Sequence, residues 1–127
     1  MLPRRMGITR ARVTVFSSDL ARRETLDLVV DTGSVFTWVP EEIAIGLGHR
    51  PLRMWRIRTI EGRRIERPVC DVPIEVEGLQ GVTRIVFAAP GDLHVLGVTA
   101  LETLGLVVDP TTNSLRSEDA TLALVSP

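Results

Sequence analysis

The sequence contains no lysine and has little cysteine, histidine or aromatic content. Its single cysteine, Cys70, cannot form a disulfide within the chain. The two histidines, His49 and His94, are not accompanied by a Cys/His cluster, so a zinc site is not expected. The sequence also lacks a phosphate-binding loop, a dinucleotide fingerprint and a Gly-x-Ser-x-Gly motif. We therefore expect a protein that works without a metal or another cofactor.

Long apolar runs are absent as well, and none approaches the roughly 18 residues that a membrane-spanning helix requires. The chain does not open with a charged stretch followed by an apolar one, as a secretory leader would. Its 15 basic residues are all arginines, and 16 acidic residues bring the net charge to -1. This balance provides no overall attraction to nucleic acid or anionic lipid. We expect a soluble, cytoplasmic protein with neither a nucleic acid nor a membrane as partner.

The length of 127 residues and the hydrophobic content of 44% predict one domain with its own core. Short segments of alternating polarity, separated by turn signals, predict about six to nine strands. Residues 8–16 alternate in this way and are expected to form an edge strand with one polar side. Two short helices are expected, one after Pro40 and one over residues 99–104 that ends at Gly105. The predicted fold is all-β, in the form of a small closed barrel.

The most distinctive stretch of the chain is residues 28–36, where three apolar residues lead directly to Asp31. Gly33 allows the backbone to bend at this point, and the hydroxyls of Thr32 and Ser34 can hold a carboxylate by hydrogen bonds. An acid embedded in apolar sequence is costly unless it has a partner, a function or both. The alternative interpretation is an Asp-Thr-Gly tripeptide that serves only as a turn.

A second apolar stretch, Val95-Leu96-Gly97, precedes the predicted helix at residues 99–104. Together, in this order and at this spacing, the two stretches resemble the paired motifs of the retropepsin-like aspartic proteases. The resemblance covers approximately residues 8–110. It implies the closed β-barrel of the acid proteases, with a flap hairpin between the two motifs. An unrelated β-barrel that carries a chance Asp-Thr-Gly is the remaining alternative.

The resemblance also implies roles for the residues of the first motif. Asp31 would be the catalytic acid and base, and Thr32 would brace the two carboxylates across a two-fold axis. Gly33 would contact the substrate backbone, and Ser34 would donate a hydrogen bond to the outer carboxylate oxygen. Hydrolysis by carboxylates needs two of them, and no second copy of the motif is present in the chain. An enzyme of this kind would therefore be a homodimer in which Asp31 of each protomer meets the other.

The segment between the motifs, residues 52–69, is predicted to be a hairpin that is polar on both faces and projects from the body. The resemblance identifies it as the flap that closes over the substrate, and an ordinary exposed hairpin is the alternative. The predicted tip consists of Thr59, Ile60, Glu61 and Gly62. The apolar residues expected to line the substrate pockets are Val35, Phe36, Ile60 and Val95, with Trp38 and Trp55 as candidates for pocket walls.

Two departures from the retroviral pattern bear on these expectations. Val98-Thr99 follow Gly97, where the pattern has an arginine that supports the dimer, so terminal strands are a possible replacement. The predicted flap turn has only one glycine, Gly62, where retroviral flaps are glycine-rich, so a stiffer or differently shaped flap is expected. Apart from these departures, the hairpin contains six arginines, which are either simply solvated or favour acidic substrates or partners. The expected function is a homodimeric aspartic endopeptidase that cuts peptides between apolar residues. A dimeric binding or assembly module that keeps the fold without cutting is the alternative.

Overall fold

The computed structural model describes residues 7–118. Within these residues the chain is mostly β, with one nearly closed, barrel-like sheet of seven strands and a separate sheet of two strands. Two short helices complete this part of the fold. The prediction of an all-β fold with two short helices is confirmed, although the sheet is nearly closed rather than closed. The sequence also predicts a final hairpin or a terminal strand from residues 115–116 and 121–125, and the second of these segments lies outside the described residues.

The strands vary widely in length, from two residues to thirteen. They are β1 (Arg10–Phe16), β2 (Arg23–Val30), β3 (Thr37–Pro40), β4 (Arg53–Arg58), β5 (Arg64–Val76), β6 (Leu79–Ala88), β7 (Val95–Leu96), β8 (Leu106–Asp109) and β9 (Ser114–Ser117). The helices are α1 (Glu41–Gly46) and α2 (Val98–Leu104). Neither helix has the length or the apolar character that a helix needs in order to span a membrane, within the described part of the chain.

The large sheet has the strand order β3-β6-β5-β1-β2-β7, and β4 pairs with the part of β5 that extends beyond this path. Two of its pairings are parallel, β2 with β7 and β3 with β6, and the others are antiparallel. The terminal strands β3 and β7 approach each other where the Gly97 N–H donates to Thr37 Oγ1 at 3.0 Å. This approach almost closes the sheet into a barrel.

Alternating side chains of the long strands form the core. On β5 the buried set is Cys70, Val72, Ile74 and Val76, while Asp71 faces solvent, as the alternation predicts. Burial raises the pKa of the Cys70 thiol to about 11, because the thiolate would lose its hydration. Cys70 is therefore a small apolar core residue, as the alternation of apolar residues over residues 68–76 predicts.

Residues 8–16 do not form an edge strand, contrary to the prediction. β1 lies between β2 and β5, and Ala11, Val13 and Val15 are buried in the core. Arg10 and Arg12 are exposed because only one face of this sheet is covered. The alternation reports burial of one face, and it carries no information about whether both edges of the strand are paired.

The predicted helices are both present and end as expected. α1 begins after Pro40 with Glu41 and Glu42 in its first turn, where acids favour the helix dipole. α2 ends at Gly105, whose φ of 69° lies in the left-handed region that glycine adopts at low cost. α2 presents Ala100, Leu101 and Leu104 to the core, immediately after the second motif. This helix therefore fixes the position of Gly97.

Candidate active site

The two motifs identified in the sequence lie side by side in the structure. β2 delivers Asp31 and pairs in parallel with β7, so that Val30 is opposite Leu96. The Asp31 N–H continues this pairing and donates to the Leu96 carbonyl oxygen at 2.9 Å. The backbone at Asp31 is therefore held directly by the second motif.

The chain after Asp31 also crosses the chain after Leu96 at very short range. The Val98 N–H donates to the Ser34 carbonyl oxygen at 2.8 Å, and the Thr99 N–H donates to the Val35 carbonyl oxygen at 3.0 Å. A Cβ atom on Gly97 would overlap the Phe36 carbonyl group and would lie 2.9 Å from the Ser34 oxygen. Only glycine leaves room for this crossing. We call residues 31–37 and 95–99 the floor of the site.

The Asp31 carboxylate points out of the floor and is exposed in the single chain. Its Oδ1 accepts the Gly33 N–H at 2.9 Å, and the Ser34 N–H donates to the Asp31 carbonyl oxygen at 3.0 Å. The sequence suggested a position in the apolar interior. The strand already emerges at Val30, which is half-buried, so the acid that follows reaches the surface.

Ser34 does not hold the Asp31 carboxylate in this chain. Its hydroxyl donates instead to the Phe36 carbonyl oxygen at 2.7 Å, the same oxygen that excludes a side chain at Gly97. The Ser34 hydroxyl therefore stabilises the backbone crossing. Because it donates its one proton to the Phe36 carbonyl oxygen, it cannot also donate to the Asp31 carboxylate, as was expected. Thr32 is exposed at the surface of the turn.

Asp31 lies at the edge of an open groove with a volume of about 680 Å³. Most of the predicted site residues line this groove, whereas Thr32 and Gly62 do not, and Leu96 and Gly97 are buried beneath it. The predicted residues that the groove brings together are Asp31, Gly33, Ser34, Val35, Phe36, Trp38, Trp55, Thr59, Ile60, Glu61 and Val95. The groove thus has a largely apolar lining, with the Asp31 carboxylate from the floor and four other charged residues, Arg56, Arg58, Glu61 and Asp92.

The antiparallel strands β4 and β5 form a hairpin that extends beside the groove, and we call residues 53–69 the roof hairpin. Its tip is closed by the Thr59 N–H, which donates to the Arg63 carbonyl oxygen at 2.8 Å, and by Gly62, whose φ is 88°. Ile60 at the tip is fully exposed. The hairpin projects at the position where a flap was predicted.

The roof hairpin differs from the prediction in the polarity of one face. Trp55, Ile57 and Ile65 are half-buried and line the groove, so this face is largely apolar. The opposite face carries Arg56 and Arg58 on β4 and their partners on β5. The many arginines around the apolar positions concealed this difference in the sequence.

An aromatic contact joins the roof hairpin to the floor. The rings of Phe36 and Trp55 meet edge to face, with centroids 5.1 Å apart and planes at 71°. The guanidinium groups of Arg53 and Arg84 lie 4.3 and 5.4 Å from the centroid of the Trp55 ring. Trp55 is therefore both a groove wall and the centre of a small cluster that supports the roof hairpin.

A second joint was not predicted from the sequence. Arg67 Nε and Nη2 donate to the two carboxylate oxygens of Asp92 at 2.7 and 2.9 Å. Asp92 also accepts the Ala89 N–H at 2.8 Å, which fixes the loop that leads to β7. The hydrogen bonds from Arg67 lower the pKa of Asp92 below its ordinary value. The two residues are far apart in the chain, so no local sequence pattern indicates their pairing.

The described residues do not place three or more His, Cys, Asp or Glu side chains together as a metal site would require. His49 is buried, and its Nε2 lies 2.7 Å from the Phe16 carbonyl oxygen, so it bonds the backbone. The chemistry that the groove offers is that of a carboxylate among apolar walls.

Comparison with known proteins found no family model that matches the chain and no significant match among curated proteins. The assignment of a function therefore depends on the residues of the groove and their geometry.

Proposed function

We propose that the protein is an aspartic endopeptidase of the retropepsin-like type that acts as a homodimer. The observation that carries the proposal is the position of Asp31, exposed at the floor of an apolar groove and held by backbone hydrogen bonds to the second motif. The roof hairpin beside the groove supports the comparison with a flap.

The homodimer follows from the chemistry. Two neighbouring carboxylates cannot easily ionise together, so they share a proton, as is established for aspartic proteases. The ionised Asp31 takes a proton from a water molecule, and the protonated Asp31 of the second protomer donates its proton to the carbonyl oxygen of the scissile bond. Water adds to the carbonyl carbon and gives a tetrahedral diol. As the C–N bond breaks, the first Asp31 donates the proton that it took from water to the leaving nitrogen, and one hydroxyl of the diol returns a proton to the second Asp31. The exposure of Asp31 in the single chain is compatible with this pairing.

The lining of the groove favours apolar side chains on both sides of the scissile bond. Val35, Ile60 and Leu93 are large apolar residues that are exposed in the single chain, and all three line the groove. A substrate or a second protomer would remove this surface from water, which is favourable in proportion to the area covered. A profile of cleaved peptides dominated by charged residues next to the cut would contradict this assignment.

The test is cleavage of a mixed peptide library from acidic to neutral pH, over a range of protein concentrations. We expect Asp31→Asn to lower the rate by at least about a hundredfold, because it removes the general acid and base. Asp27→Asn is the matched control, since Asp27 is an exposed acid on β2, the strand that leads to Asp31, and does not line the groove. Activity per protomer is expected to rise with concentration as dimers form.

Two results would contradict the proposal. Equal activity of the wild type and Asp31→Asn would mean that the chemistry is not located at Asp31. Binding of peptides without any cleavage, at every pH and concentration, would instead favour the binding or assembly module.

A further inference from the structure

The roof hairpin has an excess of positive charge that its own fold does not neutralise. Six arginines and two glutamates lie between residues 53 and 67, although the whole chain has a net charge of -1. Arg67 is neutralised by Asp92, and the nearby Arg84 forms a similar pair with Asp71 at 2.8 and 3.4 Å. The remaining arginines of the hairpin form no ion pair with any residue between 7 and 118.

Two of the three arginines on β4 border the groove, and the third, Arg53, lies over the Trp55 ring. Arg56 and Arg58 belong to β4, which pairs only with β5 and has a free edge among the described strands. Both residues border the groove, although their side chains alternate with those of Trp55 and Ile57 and start on the opposite face of β4. They therefore meet the groove along the free edge of the strand. A peptide that lies extended in the groove would run along this strand.

The register of the hairpin makes Arg58 electrostatically unfavourable in the free protein. Arg58 is directly opposite Arg64, and like charges at such positions destabilise a strand pair. On β5 the nearest acidic residue is Glu66, which is opposite Arg56 rather than Arg58. The acid at the tip, Glu61, is held by its own backbone N–H and the Thr59 hydroxyl, which lower its pKa. An anion from outside the hairpin would relieve the repulsion between Arg58 and Arg64.

We propose that Arg56 and Arg58 select peptide substrates that carry aspartate or glutamate beside the apolar pair at the cleavage site. This inference rests on the proposed endopeptidase function and adds the class of substrate. Guanidinium groups bind carboxylates through two parallel hydrogen bonds, which gives direction as well as charge. The apolar lining near Asp31 receives the residues at the cut, and the arginines receive the acidic residue that flanks them.

The groove favours an acidic peptide over a nucleic acid. Asp31, Glu61 and Asp92 line the same groove and would repel a continuous phosphate backbone. The floor also presents the apolar side chains of Val35, Phe36 and Val95 to the groove, which suit the side chains of a peptide. A peptide with a single acidic flank meets the arginines without placing further negative charge near Asp31.

The experiment uses three peptides with the same apolar pair, flanked by Glu, Gln or Lys. We expect the wild type to favour the Glu peptide over the Gln peptide about fivefold in kcat/KM, as exposed ion pairs of this kind contribute modestly. This preference should decline as salt is added. In Arg56→Gln/Arg58→Gln the ratio of kcat/KM for the Glu peptide to kcat/KM for the Gln peptide should fall to about one. In Arg56→Glu/Arg58→Glu the order should reverse, so that the Lys peptide is cut more efficiently than the Glu peptide. A purely structural role for the arginines would not reverse the ratio.

The matched control is Arg12→Gln/Arg50→Gln, which makes the same change of net charge. Both arginines are exposed, neither lines the groove, and neither forms an ion pair within residues 7–118. The control should keep the wild-type preference for Glu. If it loses the preference as well, the effect is one of overall charge and the inference is wrong.

Binding of the same peptides to Asp31→Asn, followed by fluorescence anisotropy, separates this inference from the proposed function. If the wild type cuts all three peptides equally and binding is equal too, the selection by Arg56 and Arg58 is wrong and the endopeptidase remains. If nothing is cut but the Glu peptide binds best through these arginines, the enzyme is wrong and the recognition of acidic peptides remains. Tighter binding of an oligonucleotide than of the Glu peptide would overturn the inference.

Discussion

The floor and the roof hairpin of the groove are built in opposite ways. The floor consists of two chain segments in direct backbone contact, joined by buried hydrogen bonds and by a glycine that admits no side chain. The roof hairpin consists of two strands whose tip is exposed and whose glycine, Gly62, has open space around it. The position of Asp31 is therefore fixed by backbone contacts of the floor, whereas the roof hairpin is held at its base by Trp55 and Arg67 and has few contacts at its tip.

The largest difference is expected between alanine substitutions of the two glycines. Gly97→Ala should destabilise the protein by at least about 3 kcal/mol, because the new methyl group overlaps the Phe36 carbonyl of the floor. Gly62→Ala should cost about 1 to 2 kcal/mol at most, since only the left-handed backbone conformation is unfavourable there. Denaturant unfolding of both variants measures the two losses. Equal losses would show that the floor is not more tightly constrained than the roof.

The next effect concerns the joint between the roof hairpin and the loop before β7. Asp92→Asn should lower the free energy of unfolding by about 2 kcal/mol at neutral pH, because it removes a charged acceptor of hydrogen bonds. Asp71→Asn is the matched control. Its pair with Arg84 is more exposed, so a loss below about 1 kcal/mol is expected.

The contribution of Asp92 should also depend on pH. Its pKa in the folded protein lies below the ordinary value of 3.8, mainly because Arg67 donates hydrogen bonds to it. A lowered pKa stabilises the folded state at pH values above the ordinary one, and the stabilisation is lost as the pH falls through the lowered pKa. The difference in stability between the wild type and Asp92→Asn should therefore shrink below about pH 4. A difference that grew on acidification would contradict the assignment.

The smallest effects distinguish two threonines that accept the same kind of hydrogen bond. Thr37 Oγ1 accepts the buried Gly97 N–H of the floor, and Thr59 Oγ1 accepts the Arg63 N–H at the exposed tip of the roof hairpin. Thr37→Val should cost about 1 to 2 kcal/mol, since the donor would remain buried without a partner. Thr59→Val should cost less than about 0.5 kcal/mol, because water replaces the acceptor. Hydrogen exchange at Gly97 and Arg63 would report each loss separately.

Most of the secondary structure could be predicted from the sequence, because alternation and turn residues act over short distances. The helix that ends at Gly105 and the burial of Cys70 are two such cases. The contact between the two motifs was expected only through the family resemblance, since residues 31 and 96 are far apart in the chain. Their contact in the structure supplies a physical reason for their occurrence together.

The features that the sequence did not reveal depend on distant partners. Ser34 has two acceptors within reach of a turn, and the choice of the Phe36 carbonyl follows from the crossing with Gly97. The pairing of Arg67 with Asp92 and the central position of β1 depend on which strands become neighbours. Periodicity specifies which side of a strand is buried, but it does not specify which strand lies next to it.

The hydrogen bond between Thr37 and Gly97 joins residues that are 60 positions apart in the chain. Closing so long a loop lowers the conformational entropy of the chain before the stabilising contacts can form. Contacts between residues that are distant in the chain therefore slow folding. A chain that is still being synthesised therefore contains Asp31 long before it contains the Leu96 carbonyl that positions this residue. The floor can form only after residues 95–99 have been synthesised, so the order of synthesis itself leaves the Asp31 carboxylate without a built site until these residues can pair with β2.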